Sequence, residues 1–363
     1  MKALILHAYS ANNAGDGLLV DEAVKIARQV VGPKGEVVLL ASHPETFREV
    51  DATVIDSAPS SRGYRLDYLR TLARIRSFTI VLGVGGGYLR AGTCIEALKT
   101  ALVHGPQLLA ASTRTSGVIY LPQSVGPLKF GLGLAVCKLM KRFDHVYLRD
   151  DRSVDELRLE NMSRVPDLAA VRVGDRLADE VPDSVPILSI RKVRNEFPAQ
   201  LKLLAEKLCN YDMYVQSTSA GNDDRPVSSL LNYRQEISAA TLFKNAGQKR
   251  VIVAVRLHAA LMALQAGHYV IHLAYERKGF GAFSDLGLDE YVHNVNDFSV
   301  NEVLTQVRDL TASATTRSSY NQKMRETCSE RQSAFEDCLT TVALSARSSD
   351  DSKRSRNRRG WEK

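Results

Sequence analysis

No stretch of about 20 consecutive apolar residues occurs, so the sequence offers no membrane-spanning helix. The five cysteines (Cys94, Cys137, Cys209, Cys328 and Cys338) form an odd, widely spaced set without a CxxC pair. Neither a disulfide framework nor a zinc ribbon follows from them, and reduced thiols are expected. The apolar run in Met1–His7 is too short for a signal-peptide core and has no small-residue cleavage site behind it, so a cytoplasmic protein is expected. No GxGxxG fingerprint and no repeat of fixed period is present, and the one tryptophan, Trp361, lies in the last three residues. A large excess of one charge is missing as well. The 48 Lys and Arg stand against 41 Asp and Glu, a formal +7. Residues 347–363 hold seven of those bases and three of the acids, leaving only +3 for the body. Global basicity therefore gives no support to a nucleic-acid partner.

What is present is a chain of 363 residues, 44% apolar and 25% charged, long enough for two domains with substantial cores. Short apolar runs alternate with helix-length segments, the pattern of parallel sheets covered by helices on both faces. Strands are predicted at Ala3–His7, Val37–Leu40, Thr53–Ile55, Thr79–Gly83, Val118–Leu121 and Val146–Leu148. A second series follows at Ile187–Ile190, Met213–Gln216, Val251–Val255 and Tyr269–Ala274. The expected architecture is α/β with two doubly wound Rossmann-like lobes and a cleft between them. Residues 1–172 would form the first lobe, 173–186 a linker, 187–316 the second lobe and 317–346 a helical segment. The polar, basic residues 347–363 are expected to be disordered.

Six motifs carry chemistry, each where a strand gives way to a loop or helix, the edge at which open parallel sheets hold ligands. Asn12-Asn13-Ala14-Gly15-Asp16-Gly17 follows the first strand and precedes a helical segment; it is either an anion-approaching turn or a turn with Asp16 as a plain cap. Gly83-Val84-Gly85-Gly86-Gly87 reads as a strand-to-helix turn whose glycines serve either a closely approaching ligand or close lobe or helix packing. Pro122-Gln123-Ser124-Val125-Gly126-Pro127 reads as a loop presenting polar groups. Arg149, followed by Asp150, Asp151 and Ser153, is placed to grip a phosphate or carboxylate, or to pair with its acidic neighbours. Most informative is Val251–Val255 giving way to Arg256-Leu257-His258, with Leu257, Leu261 and Leu264 at helical spacing. Arg256 and His258 then stand at a helix N-terminus, where unpaired N–H groups and the dipole favour an anion. Tyr275-Glu276-Arg277-Lys278 adds a cation and a carboxylate that either reads ribose hydroxyls or pairs with its basic neighbours. His268 and His272 fall about 13 Å apart on a strand rising ~3.3 Å per residue, too far to share a metal ion, so no metal is expected.

These residues resemble the polysaccharide pyruvyl transferases. The resemblance rests on Asn13-x-Gly15-Asp16, Gly85-Gly86-Gly87, Pro122-Gln123-Ser124-x-Gly126-Pro127, Arg149 with Ser153, Pro166-Asp167, and above all Arg256-Leu257-His258-Ala259 followed by Gly267, Tyr275 and Lys278. It implies a two-lobed glycosyltransferase-B-like fold and transfer of the pyruvyl group of phosphoenolpyruvate onto sugar hydroxyls as a ketal. Phosphoenolpyruvate would be a co-substrate, with no further cofactor and a saccharide acceptor, free or lipid-linked. His258 is then the expected acid/base group, and Asp16 or Asp167 the second proton carrier. Arg149, Arg256, Leu257, Lys278, Asn13, Gly15, Gly86, Gly87, Gln123, Ser124, Ser153, Tyr275 and Glu276 are the expected substrate-binding set. A nucleotide-sugar glycosyltransferase or epimerase of the same fold, and a non-catalytic saccharide-binding protein, are the competing readings. For the basic tail, the alternative to a solvated segment is peripheral contact with the inner face of an anionic membrane.

Overall fold

A computed structural model describes the chain except residues 172, 175–178, 195, 219–222, 245–246 and 362–363, and describes only the backbone of 244 and 352–361. It forms two compact units: residues 1–11, 16–168 and 333–363 make the first, and 12–15 with 169–332 the second. The first unit holds β1 (Lys2–Ala8), β2 (Glu36–Ala41), β3 (Thr53–Asp56), β4 (Ile80–Gly83), β5 (Gly86–Ala91), β6 (Val118–Leu128), β7 (His145–Leu148) and β8 (Met162–Arg164). They pair, all in parallel, in the order β3-β2-β1-β4-β6-β7-β8, with β5 also on β6. The order reverses between β1 and β4. Apolar side chains cover both sheet faces. On one, Leu19, Ala23 and Ala27 of the helix Ala14–Val31 pack with Cys338, Val342 and Ala346. On the other, Tyr68, Leu72, Leu108, Val136 and Met140 come from three further helices.

The second unit carries β9 (Ile187–Ser189), β10 (Asp212–Met213), β11 (Val251–Ala254), β12 (Tyr269–Ala274) and β13 (Val292–Asn294) in the parallel order β10-β9-β11-β12-β13, reversing between β9 and β11. Two parallel α/β sheets, each with one reversal of strand order, make the fold two-lobed and Rossmann-like. Within residues 173–186 the described portions bond to the second unit: Tyr269 donates to the Glu180 carbonyl, Asn321 to Asp179, and the Asp183 N–H to the Lys249 carbonyl. Part of that segment lies outside the described residues.

The structure changes two sequence expectations. The Gln123–Pro127 motif is not a loop but the second half of β6. Its first half pairs with β4 and its second with β5, and the pairing to β7 shifts register between Tyr120 and Gln123. Pro122, which has no N–H to donate, falls at that interruption. The glycine run is likewise no strand-to-helix turn. It joins β4 to β5, and Gly86 itself, at φ +146°, opens a strand. A Cβ on Gly85 would stand 2.8 Å from the Pro122 carbonyl oxygen, so only glycine lets the two backbones approach this closely. Residues 347–361 lie in the helix Cys328–Trp361. The buried Ser345, Ala346 and Ser349 extend its packed face, and Ser349 accepts a hydrogen bond from the buried Arg114 at 3.0 Å.

At the carboxyl end of β1 the chain bulges, and His7 takes a left-handed φ of +70° with its ring in the core. Its Nε2 lies 2.7 Å from the Tyr120 hydroxyl and its Nδ1 3.2 Å from Nδ1 of buried His104, and it stacks on Tyr88 at 4.7 Å. Burial, with His104 adding repulsion, holds the His7 pKa well below its ordinary value, and burial beside Lys99 brings His104 to about 3. In the second unit burial takes His272 to about 4 while its Nδ1 donates to the Ala254 carbonyl. Below the unfolded-state value near 6.5 the unfolded chain binds protons that these folded imidazoles refuse, so stability falls as pH drops. The unfolding free energy from urea denaturation should therefore decline between pH 7 and pH 5, by up to about 1.4 kcal/mol per pH unit for each such histidine. A His104→Gln variant should show a shallower decline; an identical slope would count against this origin.

Candidate functional site

In the second unit the site grows from the reversal of strand order between β9 and β11, the point at which open parallel α/β sheets leave a crevice at the carboxyl ends of their strands. Arg191 lies two residues beyond β9 and Arg256 two beyond β11. Arg256 is the N-cap residue of the helix Leu257–Gln265, whose Leu257, Leu261 and Leu264 are buried. That apolar stripe fixes the helix on the sheet and points its N-terminal N–H groups at the strand ends. Arg256 is buried and donates to both oxygens of buried Asp224, from Nη2 at 2.7 Å and Nε at 2.5 Å. Burial raises the Asp224 pKa, with the Arg256 and Arg191 charges opposing the rise. Arg191 donates to the Tyr275 hydroxyl at 2.8 Å and lies 4.9 Å from that ring's centroid.

His258 occupies the second position of the same helix. A Cβ on Gly15 would come within 2.3 Å of its Nδ1 and 2.5 Å of its own Cβ, so the imidazole rests directly on the Gly15 backbone. The start of the helix Ala14–Val31, which carries that glycine, is held by an antiparallel bridge from Asn13 to Ser217, and the Asn13 side chain accepts from the Gly15 N–H at 3.3 Å. The histidine thus has a floor that any other residue at position 15 would destroy. Glu276 caps the helix Arg277–Ser284 and pairs with Lys278 at 2.8 Å, both partly exposed.

The first unit builds a separate cluster at the end of β7. Arg149 is buried, donates from Nη1 to buried Asp167 and from Nε to Ser124 Oγ at 2.8 Å. Ser124 donates to Asp150 at 2.5 Å. Asp150 in turn caps the helix Asp151–Leu157 by accepting from the Ser153 N–H at 2.9 Å, and Ser153 Oγ accepts from the Val125 N–H at 2.8 Å. A Cβ on Gly87 would lie 3.7 Å from Arg149 Nη2, so a longer side chain there would cover that end of the guanidinium. Gln123, which accepts from the Arg149 N–H through its carbonyl, is wholly buried, and neither end of its side-chain amide has a partner among the described residues.

Thirteen of the sixteen expected site residues therefore fall into two sets. His258, Gly15, Asn13, Arg256, Leu257, Tyr275, Glu276 and Lys278 lie at the second unit's strand ends, and Arg149, Asp167, Ser124, Ser153 and Gly87 form the first unit's cluster. Gln123 is joined to the latter through its backbone, Gly86 opens β5, and Asp16 lies in the first turn of the helix Ala14–Val31. Sequence reasoning missed Asp224 and Arg191. Arg191 was within reach, since it repeats the Arg256 offset from a strand. Asp224 sits in an irregular segment before a four-residue helix, with no periodicity to mark it. Among the described residues no group of three or more His, Cys, Asp or Glu could hold a metal ion.

A family model described as polysaccharide pyruvyl transferase matches residues 13–277. No curated protein is significantly similar in sequence. Solved structures share the fold at low identity. The UDP-GlcNAc 2-epimerase of Neisseria meningitidis, bound to UDP-GlcNAc, has 12% identity and a TM-score of 0.55 over 94% of this chain and 99% of its own. A UDP-N-acetylglucosamine 2-epimerase assigned in Listeria monocytogenes has 10% identity and a TM-score of 0.55 over 88% and 90%. WaaG, a glycosyltransferase involved in lipopolysaccharide biosynthesis, has 12% and 0.53 over 94% and 99%.

Replacing Arg256 by Ala leaves the buried Asp224 carboxylate without its bidentate partner, and should cost about 3–5 kcal/mol of stability in chemical denaturation. Adding Asp224→Asn should recover part of that loss. Equal stability of Arg256→Ala and the parent would contradict the pairing.

Proposed function

The chain belongs to the polysaccharide pyruvyl transferase family, and from that footing we propose that it transfers the pyruvyl group of phosphoenolpyruvate to two hydroxyls of a saccharide as a cyclic ketal, releasing phosphate, in the synthesis of an exopolysaccharide or cell-surface polysaccharide. The observation that carries the reading is the pairing of an anion-binding helix N-terminus with a seated imidazole: Arg256 and His258 flank Leu257, and His258 rests on Gly15.

Phosphoenolpyruvate brings a carboxylate and a phosphate to the site, and Arg256, Arg191, Lys278 and the N–H groups opening the helix are the groups that answer those charges. A proton added to the methylene carbon C3 makes C2 electrophilic. Two saccharide oxygens then bond to C2, the C2–O bond to phosphate breaks, and the two hydroxyl protons balance the new methyl group and the departing phosphate. Carrying protons between these atoms is the task assigned to His258. Asp224 is a positioning residue that orients Arg256. Arg149, held in place by Ser124 and Asp167, is the corresponding candidate anion-binding group of the first unit. Asp167, engaged with that guanidinium, is better suited to positioning it than to proton transfer, leaving Asp16 as the other candidate proton carrier.

The nucleotide-sugar reading has the fold relatives in its favour, since the Neisseria epimerase carries UDP-GlcNAc. It would use Glu276 on the ribose, whereas that carboxylate is paired with Lys278.

Phosphate release from phosphoenolpyruvate, measured with and without added saccharide acceptors, tests the proposal: release should depend on the acceptor. His258→Ala should stay folded and lose on the order of 100-fold or more in turnover. Gly15→Ala, which pushes the imidazole off its floor, should lose roughly 100-fold, and the double variant should be no worse than His258→Ala alone. A fully active His258→Ala enzyme would refute the assignment.

A further inference from the structure

The formal +7 of the chain conceals a concentrated surface. Residues 57–143 hold 12 Lys and Arg against two Asp and Glu, a net +10, and no acid occurs between Glu96 and Asp144. The two acids are offset locally, Asp67 by Arg65 at 3.3 Å and Glu96 by Arg90 at 3.9 Å. The same quarter of the chain carries eight of the fifteen large apolar side chains that are exposed among the described residues, with Leu134 at 83% and Ile95 at 81%.

Leu66, Arg70, Leu109, Leu134, Lys138 and Lys141 of this segment share one face of the first unit. The helices Leu66–Ala73, Gly105–Ser112 and Leu132–Met140 lie side by side and bury Tyr68 and Leu72, Leu108 and Ala111, and Val136 and Met140 in a single core on the same face of the sheet. Helical spacing puts Leu66 and Arg70 opposite Tyr68 and Leu72, and puts Leu134, Lys138 and Lys141 opposite Val136 and Met140. Leu109 is exposed on the middle helix. Leucine and base therefore point outward together from adjacent helices.

We infer that this helical face binds the surface of an anionic lipid bilayer, which would hold the enzyme where lipid-linked saccharides are made. The inference is independent of the donor used at the catalytic site. A polyanion in water would satisfy the bases and leave the leucines wet. An anionic bilayer takes both, the apolar side chains below headgroup level and the cations at it. The contact is peripheral, since no described helix is long and apolar enough to cross a membrane. It also moves the expected membrane contact from the basic tail to a folded surface.

Co-sedimentation of the full chain with vesicles tests it. The protein should bind phosphatidylcholine vesicles containing phosphatidylglycerol, release with salt, and ignore vesicles of phosphatidylcholine alone. The triple variant Arg70→Glu, Lys138→Glu, Lys141→Glu should bind roughly tenfold or more weakly. The pair Leu66→Ser, Leu134→Ser should also weaken binding several-fold by the area it removes. A chain ending at Asp351 should bind as the parent does. Unchanged melting temperatures establish that the surface variants are folded. Absence of vesicle binding by the parent, undiminished binding by the triple variant, or loss of binding on removal of the tail would each overturn the proposal. So would leucine variants that bind normally while heparin competes fully, which would mark a polyanion surface.

Discussion

In each parallel sheet the strand order reverses once, between β1 and β4 and between β9 and β11, and this reversal is the constraint on which the rest depends. Helices that leave neighbouring strands on opposite faces cannot both cover the strand ends, so a crevice is left at the carboxyl edge. In the second unit Arg191 and Arg256 each follow one of the two strands concerned, and the Leu257–Gln265 helix starts there with its dipole aimed outward. Without the apolar stripe that fixes that helix, neither Arg256 nor His258 would have a defined position.

The two units solve the problem of presenting a guanidinium in the same way. Arg149 and Arg256 are both buried just beyond a strand, and each is held by a buried aspartate, Asp167 in one and Asp224 in the other. Burying an arginine alone would be prohibitive, and pairing it with a carboxylate that is itself buried makes the arrangement rigid at the expense of some stability. A rigid cation loses little side-chain freedom when a ligand arrives, which is the benefit such a pair returns to binding.

Much of this was legible in the sequence. The runs Val251–Val255 and Tyr269–Ala274 are continuous apolar stretches, as strands buried on both faces must be, and the Arg-Leu-His motif could be placed on a helix N-terminus because Leu257, Leu261 and Leu264 repeat at helical spacing. The strands that escaped notice are short or polar: Met162–Arg164 and Val292–Asn294 have three residues each, and Gly86–Ala91 opens with glycines that read as a turn. The Gln123–Pro127 segment was hidden by its prolines and glycine, which are tolerated where β6 changes partner. Contacts between distant segments, such as Asp224 with Arg256 or Gly15 with His258, leave no local periodicity and emerge only from the fold.

Seen this way, the net charge is two separate provisions. A few cations are buried singly at strand ends, each with a partner that aims it, while a broad basic and apolar layer covers one outer face of the first unit. The central claim is that the first provision recognises phosphoenolpyruvate. Thermal unfolding in the presence of phosphoenolpyruvate, set against a panel of uridine and guanosine diphosphate sugars, measures it directly, because a ligand that binds only the folded protein raises the melting temperature. Phosphoenolpyruvate should stabilise the protein and the nucleotide sugars should not; stabilisation by a nucleotide sugar with no response to phosphoenolpyruvate would contradict the account.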